Sequence, residues 1–268
     1  MNERSKASDS RYYENEAIWS RNFELDTEER ARLDLVTGLI PSGVRSILDV
    51  GCGNGAFLHR LLGRYDRVCG VDRSETALQF VQTEHQRAGA EQLPFGDGEF
   101  DMVTCMEVIE HLPESVYGAA LRELARVSER WLMVTVPYRE DRRLDLIRCP
   151  RCLCEFNRSY HLRSFDDDTI RDLFAAHGVS GVKVSHVGTV GVRLVRPGLQ
   201  MGKRLAAPFR ELTMPRGVVC PHCQHGAQNV LPTAIVESID VLTGWRRIGS
   251  IWPARRVPRW YVALFEKL

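Results

Sequence analysis

Short apolar runs and amphipathic stretches alternate along most of the chain. Apolar runs of about four to eight residues are typical of strands buried on both faces, whereas apolar residues spaced three and four apart are typical of helices. This alternation predicts an α/β fold around a mostly parallel sheet. The predicted strands are 47–50, 67–72, one within 100–112 together with the loop that leaves it, 131–138, 182–190 and 260–267. The predicted helices are 27–39, 56–62, 74–81, 114–127 and 164–176.

The first predicted strand, 47–50, runs directly into a glycine-rich turn at 51–55. Glycine lacks a Cβ, so the backbone can turn sharply there and a ligand can lie against main-chain N–H groups near a helix N-terminus. The spacing G-x-G-x-x-A, with Asp72 about 20 residues on, also satisfies the dinucleotide fingerprint. Asp49, however, places a carboxylate beside the turn, which repels a pyrophosphate and attracts an ammonium group. S-adenosylmethionine (SAM) carries an ammonium group, so the pattern favours SAM over NAD.

Four spaced motifs agree with this interpretation: DVGCGNG at 49–55, GVD at 70–72, LPFGDGEFD at 93–101 and EVIEHL at 107–112. In these motifs the chain resembles the class I SAM-dependent methyltransferases, in particular the branch that includes the ubiquinone and menaquinone methyltransferases. The resemblance extends over about residues 45–190. It implies a doubly wound, seven-stranded, mostly parallel Rossmann-like sheet whose last strand is antiparallel.

The resemblance also implies where the methyl donor binds. Asp72 is suited to accept the ribose hydroxyls, and Asp49 acts on the ammonium group through the loop. The family usually has an acid where Gly89 stands, so adenine recognition falls to the backbone around Ala90, to Glu91, or to water. The full set of expected donor-binding residues is Asp49, Gly51, Cys52, Gly53, Gly55, Asp72, Arg73, Ala90, Glu91 and Cys105.

Size, charge and apolar content further constrain the chain. At 268 residues and 44% hydrophobic content it can bury one sizeable core. No apolar run is long enough for a membrane span, and the polar N-terminus predicts no signal peptide and a cytoplasmic location. The net charge of +1 is unevenly distributed, because 192–259 holds eleven lysines and arginines against three acids. Trp245 and Trp252 in that segment, and Trp260 just after it, are interleaved with arginines. This suggests a surface that binds nucleic acid, an anionic sugar or nucleotide, or a membrane surface, or else a solvated face with packed tryptophans.

Two C-P-x-C pairs, Cys149 with Cys152 and Cys220 with Cys223, have the spacing at which two thiolates bind one ion. Both lie in loops expected at one rim of the sheet, so we predict one four-thiolate structural zinc site. Cys154, His161, His222 and His225 are alternative ligands. A disulfide is disfavoured in a reducing cytoplasm, and a catalytic zinc would need an open coordination position.

These features predict a composite architecture. Residues 1–40 form an N-terminal helical lid, in which Tyr12 or Tyr13 contacts the donor or staples onto the core. Residues 41–191 and 260–268 form the SAM-binding core. Insertions at 139–163 and 192–259 form a zinc-ribbon-like cap.

Methyl transfer from a sulfonium depends mainly on alignment and exclusion of water, but an oxygen or nitrogen acceptor can require a base. Candidates for it are His111, Glu107, Tyr138 and His161. The favoured function is methylation of O or N, or of C, on a small molecule such as a natural-product or sugar intermediate. The alternatives are an RNA or protein methyltransferase that docks its substrate on the zinc module, and an NAD-dependent oxidoreductase or silent ligand-binding module.

Overall fold

A computed structural model of the chain describes residues 13–14, 16–20, 26–142, 146–193, 218–223, 225–226 and 254–267. The chain divides into two compact units. One comprises Tyr13–Arg142, His161–Thr189 and Pro258–Leu268, and the other comprises Met1–Tyr12, Arg143–Tyr160 and Val190–Val257. None of the described helices is long and apolar enough to cross a bilayer.

A seven-stranded sheet organises the described chain in the order β3-β2-β1-β4-β5-β9-β8, which confirms the predicted fold class. Strands β1 to β5 are parallel neighbours, and β9 pairs antiparallel with β5 from Trp131↔Glu266 to Pro137↔Trp260. The strands are β1 Ser46–Val50, β2 Arg67–Asp72, β3 Glu84–Arg87, β4 Phe100–Met106, β5 Ser128–Pro137, β6 Leu146–Arg148, β7 Glu155–Asn157, β8 Val179–Arg193 and β9 Ala254–Lys267.

The direction of β8 follows from its contacts with β9. A Cβ on Gly181 would lie 3.4 Å from Glu266, and one on Gly188 would lie 3.0 Å from Trp260. Because β9 descends in number as β8 ascends, the two strands are antiparallel, and β8 is therefore parallel to β5. This confirms the antiparallel last strand that the sequence predicts.

The helices lie mostly where the apolar spacing predicts them, but two are shorter. Ser74 caps α4 as predicted, yet the helix ends at Leu78 rather than near 81. The helix predicted for 164–176 is α6, whose N-cap is Asp166 in a capping box with Thr169, followed by a separate 3-10 turn. The helices are α1 Glu16–Trp19, α2 Thr27–Gly38, α3 Ala56–Leu61, α4 Glu75–Leu78, α5 Glu114–Val127 and α6 Asp167–Arg171, with 3-10 turns at Ile109–His111 and Ala175–His177.

Both faces of the sheet are covered, as the continuous apolar runs of its central strands require. On one face, Leu48 and Val103 belong to the same buried cluster as Leu124 of α5. On the other face, Ile47 belongs to a second cluster that includes Leu33 of α2. This double burial fixes the central strands, and with them the loops that leave their carboxyl ends.

Candidate functional site

The glycine turn after β1 has three residues in the left-handed region. The φ angles are 77° at Gly51, 54° at Gly53 and 79° at Gly55. A Cβ on Gly51 would lie 2.2 Å from Cγ2 of Val108, and one on Gly53 would lie 2.7 Å from the Trp19 ring. Glycine is therefore required at 51 and 53 both by the backbone conformation and by the side chains that press on the turn.

The amides of this turn bind within the protein. Gly51 and Cys52 donate to the carbonyl of Val71, at 2.7 and 3.0 Å, and Gly55 donates to the carbonyl of Cys52 at 3.0 Å. Gly53 donates to Oδ2 of Asp72 at 2.9 Å. A pyrophosphate cradle needs such N–H groups to face the ligand. These four amides bond within the protein, and contact between the turn and a ligand stays a prediction.

Two buried acids flank the turn. Asp49 is 2% exposed and accepts a hydrogen bond from Thr104 Oγ1 at 2.6 Å; its burial raises its pKa to about 7. Asp72 accepts from the amides of Gly53 and Ser74, the latter at 2.8 Å, while burial raises its pKa as well. Each carboxylate oxygen has two lone pairs, so Asp72 keeps acceptor capacity after fastening the turn. Two carboxylates beside the turn are suited to attract cations and to accept hydrogen bonds from hydroxyl groups.

Glu91 provides a carboxylate where the resembled family has an acid at position 89. A Cβ on Gly89 would lie 2.4 Å from Oε2 of Glu91, so this carboxylate occupies the space that a side chain at 89 would enter. Ala90 is 9% exposed beside it. The Glu91 carboxylate therefore lies where a side chain at position 89 would lie, and its part in adenine recognition stays a prediction.

The remaining predicted donor-site residues have clear structural surroundings. Cys52 and Cys105 are buried, and burial raises the pKa of both thiols well above the ordinary value, so they are unreactive core thiols. The guanidinium of Arg73 stacks 4.6 Å from the ring centre of Tyr13. Arg73 therefore contacts the N-terminal segment from its position beside Asp72.

Residues 13–14 and 16–20 lie against the turn. The Tyr13 carbonyl accepts hydrogen bonds from Trp19 Nε1 and from Ser74 Oγ, and Asn54 donates to the Trp19 carbonyl at 2.7 Å. Glu14 accepts from the amide of Thr76 at 3.1 Å, in the first turn of α4. This segment covers Gly53 through the Trp19 ring. Tyr12 lies outside the described residues, and the lid function of 1–40 stays a prediction.

Two candidates for the base, Glu107 and Tyr138, already take part in packing at the carboxyl ends of β4 and β5. Glu107, in the left-handed region at φ 56°, accepts from Thr135 Oγ1 at 2.9 Å and from Trp260 Nε1 at 2.8 Å. The ring of Tyr138 lies 4.8 Å from that of Tyr261, centre to centre. Neither side chain joins the two histidine candidates.

His111 and His161 do come together, at the carboxyl ends of β4 and β5. Their ring centres are 4.8 Å apart, and the His111 and Tyr13 rings pack edge to face. His161 Nδ1 lies 2.5 Å from Oε2 of Glu140. Glu110, which the sequence interpretation did not select, lies beside them with a side chain that is 0% exposed. The adjacent pair Glu110-His111 is a signal in the sequence, but nothing local connects it to Glu140 and His161, which lie 30 and 51 positions after Glu110.

The other unit contains the predicted cysteine cluster. One knuckle joins β6 to β7, with the amide of Cys149 donating to the Cys154 carbonyl at 2.9 Å. The second is closed by a hydrogen bond from the Cys220 amide to the His225 carbonyl at 2.8 Å. The sulfurs of the four predicted ligands all lie within 4.8 Å of one another: Cys149, Cys152, Cys220 and Cys223.

The electrostatics of this cluster fit a cation. Burial raises the pKa of Cys220 and Cys223 to about 12. Burial acts in the same direction on Cys152, but hydrogen bonds from the Cys154 backbone and from the surrounding thiols outweigh it and lower its pKa to about 6. The arrangement thus concentrates several thiol donors on one thiolate. In such a cluster a metal ion can replace the protons that the sulfur atoms share.

The predicted basic and aromatic surface is only partly described. Trp245 and Trp252 lie outside the described residues, but Trp260 is 3% exposed and belongs to the core. Arg259 stacks on it at 4.1 Å and pairs with Glu28. The expectation that Arg259 and Trp260 form part of an open docking face is therefore wrong, because one is buried in the sheet and the other binds α2.

Comparisons with known proteins agree with this geometry. Residues 47–130 match the family model of a methyltransferase domain. The SAM-dependent methyltransferase of Archaeoglobus fulgidus has a TM-score of 0.54 at 16% identity, covering 94% of this chain and 97% of that one. A putative methyltransferase from Bacillus halodurans has a TM-score of 0.53 at 15% identity, covering 88% and 98%. The chain has a Rossmann-like methyltransferase fold.

Relatives of higher identity match a shorter part of this fold. The ubiquinone biosynthesis O-methyltransferase of Thiobacillus denitrificans is 36% identical over 103 residues, which is 34% of this chain and 44% of that protein. The corresponding protein of Hahella chejuensis is 34% identical over 103 residues, covering 34% and 43%. The chain therefore spans less than half the length of these curated relatives.

Proposed function

We propose that the chain transfers a methyl group from SAM to an oxygen atom of a small molecule. The observation that carries this proposal is the turn of residues 51–55, whose amides at 51, 52, 53 and 55 donate within the protein while Asp49 and Asp72 flank it. Such a crevice favours a cationic nucleoside over a pyrophosphate. The matched methyltransferase domain at 47–130 supports the donor, and the relatives named as O-methyltransferases support an oxygen acceptor.

Each side chain near the crevice has a role in donor binding. The remaining lone pairs of the Asp72 carboxylate accept hydrogen bonds from the two ribose hydroxyls. Glu91 accepts a hydrogen bond from the adenine amino group, in place of an acid at position 89. Asp49, buried behind the turn, attracts the ammonium group electrostatically in its ionised form. Trp19 covers the turn and excludes water, which matters because displacement at a sulfonium is accelerated chiefly by alignment and by a dry site.

The acceptor hydroxyl has to lose its proton as the methyl group arrives. His111 and His161, with Glu140 hydrogen-bonded to His161, are the histidine candidates that lie together, at the carboxyl ends of β4 and β5. Glu107 and Tyr138 are less suited to this role, because Glu107 holds Trp260 and Thr135, and Tyr138 packs on Tyr261. We therefore assign proton removal to the histidine cluster.

Binding calorimetry tests the choice of donor. S-adenosylhomocysteine should bind with a stoichiometry of about one, and NAD⁺ should not bind. Binding of NAD⁺ without binding of S-adenosylhomocysteine would instead favour an oxidoreductase and reject the proposal. The class of acceptor is then tested with labelled SAM against phenols, sugar hydroxyls, amines and RNA. Methylation of amines or RNA but of no hydroxyl compound would contradict the oxygen acceptor.

We also propose that Cys149, Cys152, Cys220 and Cys223 hold a structural zinc ion. Tetrahedral zinc with Zn–S bonds of about 2.3 Å keeps its sulfurs about 3.8 Å apart. The sulfurs of Cys149 and Cys223 are 3.6 Å apart, and those of Cys152 and Cys220 are 3.5 Å apart. Four thiolates leave no position for a substrate, so the ion would stabilise the unit rather than take part in chemistry.

Cysteine variants test the zinc site. Cys220→Ser should remove bound zinc, measured by metal analysis, and lower the melting temperature. Cys154→Ser is the matched control, because Cys154 Sγ lies only 3.2 Å from Cys220 Sγ yet is outside the four-sulfur group. It should keep one zinc per chain. Zinc content that is unchanged in Cys220→Ser, or lost equally in both variants, would contradict the proposed ligand set.

A further inference from the structure

The cysteine cluster contains one thiol that the proposed zinc site does not use. Five of the eight cysteines belong to this unit, and four of them form the proposed ligand set. The fifth, Cys154, has its sulfur 3.2 Å from that of Cys220. This contact is closer than the contacts of 3.5 and 3.6 Å within the ligand set. A thiol outside the ligand set therefore touches a sulfur that zinc would hold.

The two sulfurs of this pair differ in their access to solvent. Cys220 is 0% exposed, whereas Cys154 is partly exposed and follows Leu153, which is 57% exposed. Cys152 and Cys223 are also partly exposed, but the ion would engage both of their sulfurs. Oxidation of a thiol depends on its exposure. A small oxidant therefore reaches Cys154 first, with Cys220 directly behind it.

The backbone holds this pair together independently of zinc. The Tyr160 hydroxyl donates to the Val219 carbonyl at 2.8 Å and accepts from the Val219 amide at 2.9 Å. These bonds join the residue before Cys220 to the segment that follows β7. The Cys154 carbonyl accepts from the Cys149 amide at 2.9 Å, which fixes the other knuckle. The two sulfurs are thus preorganised for a bond of about 2.0 Å, which needs an approach of about 1.2 Å.

We propose that Cys154 is an oxidation site, at which a peroxide forms a disulfide between Cys154 and Cys220 and releases the zinc ion. The inference rests on the proposed zinc site. One oxygen of hydrogen peroxide is transferred to the Cys154 thiol, giving a sulfenic acid, and the other leaves as water. The Cys220 thiolate then attacks the sulfenic sulfur, the S–O bond breaks, and the oxygen takes up a proton and leaves as a second water. The two sulfurs together give two electrons to the peroxide.

The disulfide exchanges one cross-link for another. Zinc loses one of its four thiolates, and a structural site depends on all four. The disulfide joins the same two segments that the ion joined, because Cys154 belongs to the first knuckle and Cys220 to the second. The unit therefore stays cross-linked when zinc leaves, and a thiol reductant restores the original state.

Zinc release from the full, zinc-loaded chain tests the proposal. Burial raises the pKa of the Cys154 thiol, so its attack on peroxide is slow and hydrogen peroxide is added in excess. A chromogenic chelator should detect about one released zinc per chain, and peptide mapping without reduction should find Cys154 joined to Cys220. Dithiothreitol with added zinc should restore the zinc content. Cys154→Ser, which keeps all four ligands, should release zinc at least about tenfold more slowly.

The matched control is Cys69→Ala, which removes a thiol buried in β2 and should release zinc like the natural chain. Peptide mapping uses the natural chain, so the test stands even if a variant fails to fold. Equal release from Cys154→Ser and the natural chain overturns the proposal, as does a disulfide between two of the four ligands. A chain purified without zinc refutes the zinc site and the release with it. A chain that holds zinc but yields no Cys154–Cys220 peptide refutes only the oxidation site.

Discussion

Replacement of Asp72 by asparagine separates the two roles of this carboxylate. In the folded chain Oδ2 accepts from the Gly53 amide at 2.9 Å and Oδ1 accepts from the Ser74 amide at 2.8 Å. Asparagine has the same shape but only one oxygen. In either orientation of the new amide, one of the two backbone N–H groups faces an NH₂ group and loses its acceptor.

The expected loss of stability follows from these two bonds. A buried donor left without an acceptor costs about 1–3 kcal/mol, and the surviving bond weakens by about 1 kcal/mol when its acceptor becomes neutral. Because burial raises the pKa of Asp72, the carboxylate itself carries a desolvation cost that asparagine avoids, which offsets part of the loss. We expect Asp72→Asn to lower the free energy of unfolding by about 2 kcal/mol. Affinity for S-adenosylhomocysteine should fall well over tenfold, because the charged acceptor for the ribose hydroxyls is lost.

Urea denaturation measures the first quantity and calorimetry the second. Asp101→Asn is the matched control, because Asp101 also accepts from two backbone amides, those of Arg45 and Ser46, at the opposite end of β1. Both donate to the same oxygen, Oδ2, so an amide oxygen can keep both. This variant should lose less stability and bind S-adenosylhomocysteine unchanged.

Two results would refute the reasoning. If Asp72→Asn unfolds at lower urea but binds S-adenosylhomocysteine as tightly as the natural chain, the carboxylate only fastens the turn. If its stability is unchanged, the hydrogen bonds to Gly53 and Ser74 do not have the strength inferred from their geometry.

Three further predictions concern the glycine turn, the buried Asp49 and the packing of Glu107. Gly51→Ala should destabilise the chain by several kcal/mol more than Gly43→Ala. Both glycines have a positive φ, but nothing lies within 4 Å of a Cβ at position 43. Equal losses of stability, measured by urea denaturation, would contradict the clash at position 51. Burial raises the pKa of Asp49 from 3.8 to about 7, so the folded chain keeps a proton that the unfolded chain releases, and stability is lost as pH rises between these values. Asp49→Asn should abolish this loss, so that its free energy of unfolding exceeds that of the natural chain by up to about 4 kcal/mol at pH 8. If the stability of both chains changes with pH in parallel, the raised pKa of Asp49 is excluded. Trp260→Phe removes a donor to buried Glu107 and should lower the free energy of unfolding by about 1–3 kcal/mol, whereas an unchanged urea midpoint would mean that water replaces the indole.

The sequence predicted the central sheet because its strands are buried on both faces and therefore read as apolar runs. Strand β3, Glu84–Arg87, was missed because all four of its residues are exposed and polar, and only pairing with β2 makes it a strand. The three-residue strands β6 and β7 were missed because their pairing depends on the knuckle between them. Helix α4 was overextended because its apolar residues continue past Leu78 without a helical backbone.

The candidate site was predictable wherever the evidence was local. The acids at 49 and 72 and the cysteine pairs stand out by spacing alone. The directions in which the amides of residues 51–55 point cannot be predicted from spacing, because they depend on contacts with β2. Nor could spacing show that Glu91 fills the place of a side chain at 89, or that Glu140 and His161 meet Glu110, since these pairings arise only when the chain returns from elsewhere.

The position of β9 has a consequence for biosynthesis. This strand lies between β5 and β8, yet it follows both of them in the chain. Until residues 254–267 leave the ribosome, β5 has one unpaired edge and β8 has two, and such edges invite pairing with other chains. The nascent protein therefore exposes an edge of β5 to aggregation until β9 is made, and shielding by a chaperone would be most valuable before that point.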